Sequence, residues 1–279
     1  MSIFDKFLRI RELGIFSIII IVVIAASIID TRFLTIDSWR AVLLAIPLIL
    51  VMAMGQMMVI ICRHVDISIG SILAFAAITI GFVFIHYPET SLWMALLITA
   101  FVGLIMGLIN GIIVTRFNVH SIIVTLGTLS LYRGLVFIVS GGRQIDRNDI
   151  PVHIISFSQT SFFFSIPAIL IFSVIIVLIS HLIMRHSVLG REIYATGSNP
   201  EAAHLKGINV TKITLFCFGV CGMLAGVAGL FYASRFGYVN PGVTGVGIEF
   251  IVIAGVIIGG TSITGGSGSV LGTFLGILL

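Results

Sequence analysis

Charged side chains are what this sequence has least of. They make up 9% of its residues, against about a quarter in soluble globular domains. A water-facing surface over most of the chain is thereby excluded. Acidic residues number 11 in 279, and no series of them runs through the apolar segments, which speaks against a carboxylate proton relay. Cysteine is confined to Cys62, Cys217 and Cys221, all in or beside apolar runs. They are read as small packing hydrophobes, in preference to redox or metal groups. There is no His-Glu-x-x-His and no Cys-x-x-Cys, and the seven histidines are scattered, so no metal site is expected. Gly266-Ser-Gly268 with Gly272 lacks the Gly-Lys-Ser/Thr ending of a phosphate loop. No cofactor is expected, and no catalytic constellation marks the chain as an enzyme. The alternating pattern of an outer-membrane barrel strand is missing. A net charge of +4 is too small to point to nucleic acid.

What is present is hydrophobic length. Uncharged runs cover Leu13–Ile29, Ala41–Cys62, Ile67–Ile85, Ser91–Thr115, Ile154–Ser180, Ile213–Ser234 and Phe250–Leu279. Ser121–Gly142 is a further run, interrupted by Arg133. A helix needs about 20 apolar residues to cross the hydrocarbon. The last run is split by Gly259–Ser269. Eight or nine helical segments follow, giving an all-α polytopic membrane bundle in one domain, 1–279. Leu13–Ile29 is long for a signal core and lacks a small-residue cleavage site, so it reads as the first anchor. Lys6, Arg9 and Arg11 before it place the N-terminus inside. Alternation then puts Arg63–His64, Arg116–His120 and Arg185–Lys212 inside, and Asp30–Arg40, His86–Glu89 and Gly141–Ser161 outside. Pro47 and Pro167 are expected to kink their helices.

One segment must stand in water. Gly190–Ile208 lies between two uncharged runs, and between those runs stand Arg185, Arg191, Lys206 and Lys212. A short helix is expected from Asn199-Pro200, with Glu201 in its first turn. Elsewhere glycines recur every four residues, at Gly103, Gly107 and Gly111 and at Gly268, Gly272 and Gly276, with a shorter pair at Gly222 and Gly226. Such faces let membrane helices approach closely, as bundle packing or as a dimer seam. Polar residues in the apolar runs are candidates for a translocation path: Gln56, Asp66, Ser68, Asn110, Thr125, Thr128 and Arg133. Each also has a plainer reading. Asp66 pairs with Arg63 and caps the next helix, Arg133 snorkels, and the others hydrogen-bond between helices. Glu249 suits a helix N-terminus. Asp66–Ser71 and Thr264–Ser269 are both small polar turns opening apolar runs, a faint echo of the repeated halves of transporters.

Four motifs in order carry a resemblance over nearly the whole chain. They are Val65-Asp-Ile-Ser-Ile-Gly70; Val124-Thr-Leu-Gly-Thr-Leu129 with Tyr132-Arg-Gly134; Leu189-Gly-Arg-Glu-Ile-Tyr-Ala-Thr-Gly-Ser-Asn-Pro-Glu-Ala-Ala203 with Gly207-Ile208; and Ile257-Ile-Gly-Gly-Thr-Ser262 with Gly265-Gly-Ser-Gly268. The sequence resembles the integral-membrane permease of ribose-type carbohydrate ABC importers. Leu126–Gly134 with Tyr194–Gly197 looks most like permeases for autoinducer-2 or rhamnose.

The resemblance implies a bundle of about ten helices per subunit in a bacterial inner membrane. It also implies a pore made with a second permease copy or a sister permease, a cytoplasmic ATP-binding subunit and an extracytoplasmic solute-binding protein. The cargo would be a sugar or sugar-like solute: autoinducer-2, rhamnose or a pentose. Residues about 186–211 match the segment that couples to the ATPase, with Gly190, Gly197, Asn199, Glu201, Ala202, Ala203 and Gly207 most motif-like. The family continues for roughly two more spans, whereas here the stretch after Gly268 is too short to cross; the last one or two spans are expected to be missing. Alternatives are a stand-alone secondary carrier, disfavoured by the scarcity of intramembrane acids, and an inactive truncated permease.

Overall fold

A computed structural model describes residues 11–162 and 166–279. Lys6 and Arg9, which with Arg11 carried the reading of the N-terminus, lie outside the described residues. Helix α1 (Arg11–Ile29) leads through a 3-10 turn into α2 (Ile36–Ile61), α3 (Ile69–His86), α4 (Leu92–Phe117) and α5 (Ser121–Ser140). Then come a short α6 (Val152–Gln159), a two-residue antiparallel pair β1 (Ser161–Phe162) and β2 (Ile166–Pro167), and α7 (Ala168–His186). Two short helices follow, α8 (Val188–Ser198) and α9 (Pro200–Leu205). The chain closes with α10 (Val210–Phe236), α11 (Ile248–Ile258) and α12 (Val270–Leu278). Six of these, α2, α3, α4, α5, α7 and α10, are long and apolar enough to cross a membrane. A 26-residue helix such as α2 reaches about 39 Å, more than the hydrocarbon thickness of about 30 Å.

Local chemistry sets where the helices stop. Thr35, Ser91 and Asn209 each accept a backbone N–H at the start of α2, α4 and α10. Asn118, Gly141 and Gly237 end α4, α5 and α10 in the left-handed conformation. The Ile154–Ser180 run is not one span. It divides into the end of α6, the β pair and most of α7. Pro167 sits just before α7, at φ −64° and ψ 140°. Lacking an N–H, it opens that helix and does not kink it. Pro47 does lie inside α2. The final run divides at 259–269, where Gly260, Gly265 and Gly266 take positive φ.

Helix α10 is the hub of the core, packed on α4, α2 and α3. The α4 seam is nearly backbone on backbone. A Cβ at Gly103, Gly107, Gly222 or Gly226 would collide with the opposite helix's main chain. Gly111 meets Phe218 and Leu215 side chains on the same seam. Gly272 and Gly276 lie against Gly259 and Gly255 where α12 crosses α11, while Gly268 precedes α12 and touches Thr261. From Leu50 to Ile61 every residue of α2 is buried.

Contacts sort the connections onto two sides. On one, Arg40 donates to Gln159 O, His153 bonds Thr90 O, and Ile145 pairs with Val239. On the other, Arg63 donates to Gly197 O, Gly266 N–H to Ile61 O, and Tyr194 OH to Gly268 O.

Candidate functional site

Two polar regions stand out, one sealed within the bundle and one outside it. The first is built on the link between α2 and α3. Arg63 turns the chain with a left-handed φ of 66°, and Asp66 follows it inward, fully buried. Its Oδ1 accepts from Ser68 N–H at 2.9 Å and from Ser68 Oγ at 2.7 Å. Its Oδ2 accepts from Asn110 Nδ2 of α4 at 3.2 Å, and the same Nδ2 lies 2.8 Å from Ser68 Oγ. Tyr132 OH of α5 lies 3.1 Å from Asn110 Oδ1 and 2.9 Å from Met106 O. The Gln56 amide of α2, oriented with Nε2 toward Asp66 O and Oε1 toward Asp66 N, meets both at 3.2 Å. The link and α4 thus meet the carboxyl group itself, while α2 holds the link's main chain and α5 bonds Asn110 behind it, in one connected network.

Of the polar path candidates, Gln56, Asp66, Ser68 and Asn110 come together here. Thr125 stands beside them, within 3.3 Å of Val65 O. Among the described residues Thr128 bonds only its own helix, at Thr125 O. Arg133 lies apart and donates to Thr244 O at 2.6 Å. The expected Arg63–Asp66 pair does not form. Arg63 turns away from the link and donates to Gly197 O and Ser198 O, each at 2.6 Å. Those two carbonyls end α8 near the bundle surface, so the guanidinium reaches acceptors without entering the apolar interior.

A second interrupted element meets the first. Between α10 and α11 the chain runs as turns over 237–247, and Gly245 lies directly against Gly70 at the start of α3. A Cβ on either would strike the other's carbonyl. Glu249, in the first turn of α11, is buried and packs on Gly70 as well. Non-helical backbone at membrane depth is tolerated where protein encloses it, and such breaks mark solute and ion sites in transporters. Sequence reasoning gave no role to Tyr132 or Thr244. Tyr132 stands in a motif quoted above, and a buried phenol in need of a partner was the available signal.

The second region is the α8–α9 pair. Ser187 Oγ caps α8 through Gly190 N–H at 3.0 Å, and Asn199 Oδ1 caps α9 through Ala202 N–H at 3.0 Å. Gly190 is pressed on the carbonyls of Ile183 and Met184, and Gly197 on that of Ile61. Both glycines are buried, so they anchor the pair to the bundle. Glu201, Ala202, His204, Lys206 and Gly207 are exposed, and Ala203 faces inward. Leu205 is 87% exposed. A groove of about 800 Å³ runs beside α9, with Pro200, Glu201, His204, Gly207 and Asn209 among its walls. Gly197 leaves no room for a side chain, because a Cβ would strike the Ile61 carbonyl. Any side chain there must displace the end of α2.

Among the described residues no three His, Cys, Asp or Glu side chains gather as a metal site would require. Cys62 and Cys217 are buried free thiols, 3.4 Å apart.

A family model described as the permease component of the branched-chain amino acid transport system matches residues 39–279. The "Autoinducer 2 import system permease protein LsrC" of Yersinia pseudotuberculosis serotype O:1b (strain IP 31758) is 33% identical over 253 residues, covering 91% of this chain and 70% of that one. The protein of the same name from Yersinia pestis (strain Pestoides F) matches with the same identity and coverage. No solved structure matches.

Proposed function

The chain belongs to this permease family and is a multi-pass permease subunit of an ABC importer; we propose that its cargo is autoinducer-2 or a sugar-like solute of similar size, such as rhamnose or a pentose. The observation that carries the cargo is the 33% identity, over 91% of the chain, to permeases named for autoinducer 2 import. The solute crosses unchanged. The chain holds no hydrolytic apparatus of its own in this reading, and a cytoplasmic ATP-binding subunit supplies the energy.

That subunit docks on α8 and α9. The exposed end of α9, with Glu201 and Ala202, and the adjoining groove form its seat, while Gly190 and Gly197 transmit movement because they touch the bundle's main chain. This side is cytoplasmic, the N-terminus lies on it, and a solute-binding protein delivers cargo to the opposite side. A second permease copy or a sister permease completes the pore. The Asp66 junction is closed in this conformation. When the helices part, Gln56, Asp66, Ser68 and Asn110 offer amide, hydroxyl and carboxylate groups to a hydroxyl-bearing solute.

The test is reconstitution with the partner ATPase in liposomes, with the binding protein loaded by autoinducer-2, rhamnose or ribose in turn. Stable assembly and hydrolysis stimulated by one loaded binding protein are expected, with assembly lost in Glu201→Arg. Solute flux without any ATPase would replace this reading with a stand-alone carrier.

A further inference from the structure

A second groove, of about 450 Å³, opens between the end of α7, α8 and the start of α12. Its walls include His181, Arg185, Arg191, Tyr194, Val270 and Leu271. We propose that it binds the phosphate headgroup of an anionic phospholipid. Arg185 and Arg191 are both exposed, and neither side chain has a hydrogen bond or ion pair within the described residues. Glu192, beside Arg191 in sequence, pairs with neither; the ion pair found among the described residues is Arg143–Asp149, on the opposite side of the bundle. Two guanidiniums of free valence facing one cleft suit a phosphate, which takes paired N–H donors.

The surroundings select a lipid over a free anion. Leu178, Leu182 and Arg185 are spaced three or four residues apart and share a face of α7. Leu178 and Leu182 are exposed, as is Leu271 on α12. An exposed apolar lane therefore runs along the span and ends at the arginines. A phospholipid matches both parts at once, with acyl chains along the leucines and phosphate between Arg185 and Arg191. Basic pockets between spans at the membrane edge are recognised lipid sites. The cleft is distinct from the groove beside α9, and the inference does not depend on which solute is carried.

The experiment is native mass spectrometry of the full chain in detergent, titrated with phosphatidylglycerol, with phosphatidylcholine of the same acyl chains, and with glycerol 3-phosphate. Retention of phosphatidylglycerol over phosphatidylcholine is expected. In R185Q/R191Q its affinity should fall roughly thirtyfold for two basic groups removed, while R185K/R191K keeps most of it. If the double glutamine variant does not fold, the single R191Q variant, with an expected loss of about fivefold, serves instead. Equal retention of the two lipids, or undiminished phosphatidylglycerol in the glutamine variants, overturns the site. Binding of glycerol 3-phosphate as tight as that of the lipid makes it a free-anion site. Normal lipid binding with loss of ATPase co-purification assigns the arginines to the protein partner. Either of the last two results also refutes the proposal.

Discussion

The Asp66 junction and the α8–α9 pair are both polar, and they are built in opposite ways. At the junction each side-chain group is spoken for inside the chain. Asp66 takes three donors, Asn110 bridges two helices, and Gln56 holds the link's main chain. At the pair the caps use Ser187 and Asn199, but Glu201, His204 and Lys206 project into open space. The one buried side-chain oxygen without a partner among the described residues is Thr196 Oγ1, on the inner side of α8. The contrast follows from the solvent. In hydrocarbon an unpaired polar group is costly; in water an unpaired one remains available to a partner. A polar residue is thus closed inward by the membrane and left open outward by water.

The comparison is sharpest within the pair itself, between its anchor and its tip. Gly197→Val should abolish the folded subunit, because the new side chain would occupy the Ile61 carbonyl's place; overpacking against a fixed backbone costs more than the about 1–3 kcal/mol usual for a core. Size-exclusion chromatography in detergent reads it as lost monodisperse protein. Glu201→Arg, four residues on, should change stability by no more than about 0.5 kcal/mol and act only on ATPase assembly. Similar melting temperatures for the two variants would erase the distinction between anchor and tip.

The junction predicts a smaller but clear loss. Asn110→Leu removes one donor from the carboxylate and one acceptor from Tyr132. The expected cost is about 1–3 kcal/mol, that of leaving buried hydrogen-bonding groups without a partner, seen as a lowered midpoint in thermal or denaturant unfolding. Asn110→Asp is not its equal, since it sets a second carboxylate against Asp66. An unchanged midpoint in Asn110→Leu would mean that the network is not shut in the protein's resting state.

Next in size is the cap of α9. Asn199→Ala should weaken that helix by about 1 kcal/mol, raising amide exchange over 200–205 while the junction's amides stay protected. Exchange rising equally in both regions would show that they open together.

How much of this was legible in the sequence differs by region. The membrane bundle and the water-facing island were, because charge and apolar length are local in sequence. The α9 start at Asn199-Pro200 was legible for the same reason, since a cap and its helix are contiguous. The short α6 and the β pair within the Ile154–Ser180 run were not. The stretch carries no charge to mark a break, and only three-dimensional packing shows the chain folding back at the β pair. Arg63 was assigned to Asp66 by proximity, whereas its acceptors lie at Gly197 and Ser198. Likewise the four members of the junction were singled out as polar, but nothing in a linear pattern says that Gln56 and Asn110 meet at one aspartate, Gln56 on its main chain and Asn110 on its carboxyl group, or that Tyr132 joins them.

The smallest effect expected is at the junction's own margin. His64 lies in the same link as Asp66, with its ring 5.8 Å from that of Phe218. Burial lowers its pKa from 6.5 to about 4, and the nearby His120 adds to the shift. The neutral imidazole is therefore the form the folded chain prefers. Unfolded chain takes up the proton first as pH falls below 6.5, so the stability this residue contributes is complete above that value and drains away toward pH 4. By pH 6 the loss is about 0.8 kcal/mol. His64→Gln removes the titration and should flatten the melting temperature between pH 7.5 and 6, relative to the native chain. A slope identical in the two proteins would assign the pH response to other groups and leave His64 as packing against Phe218 alone.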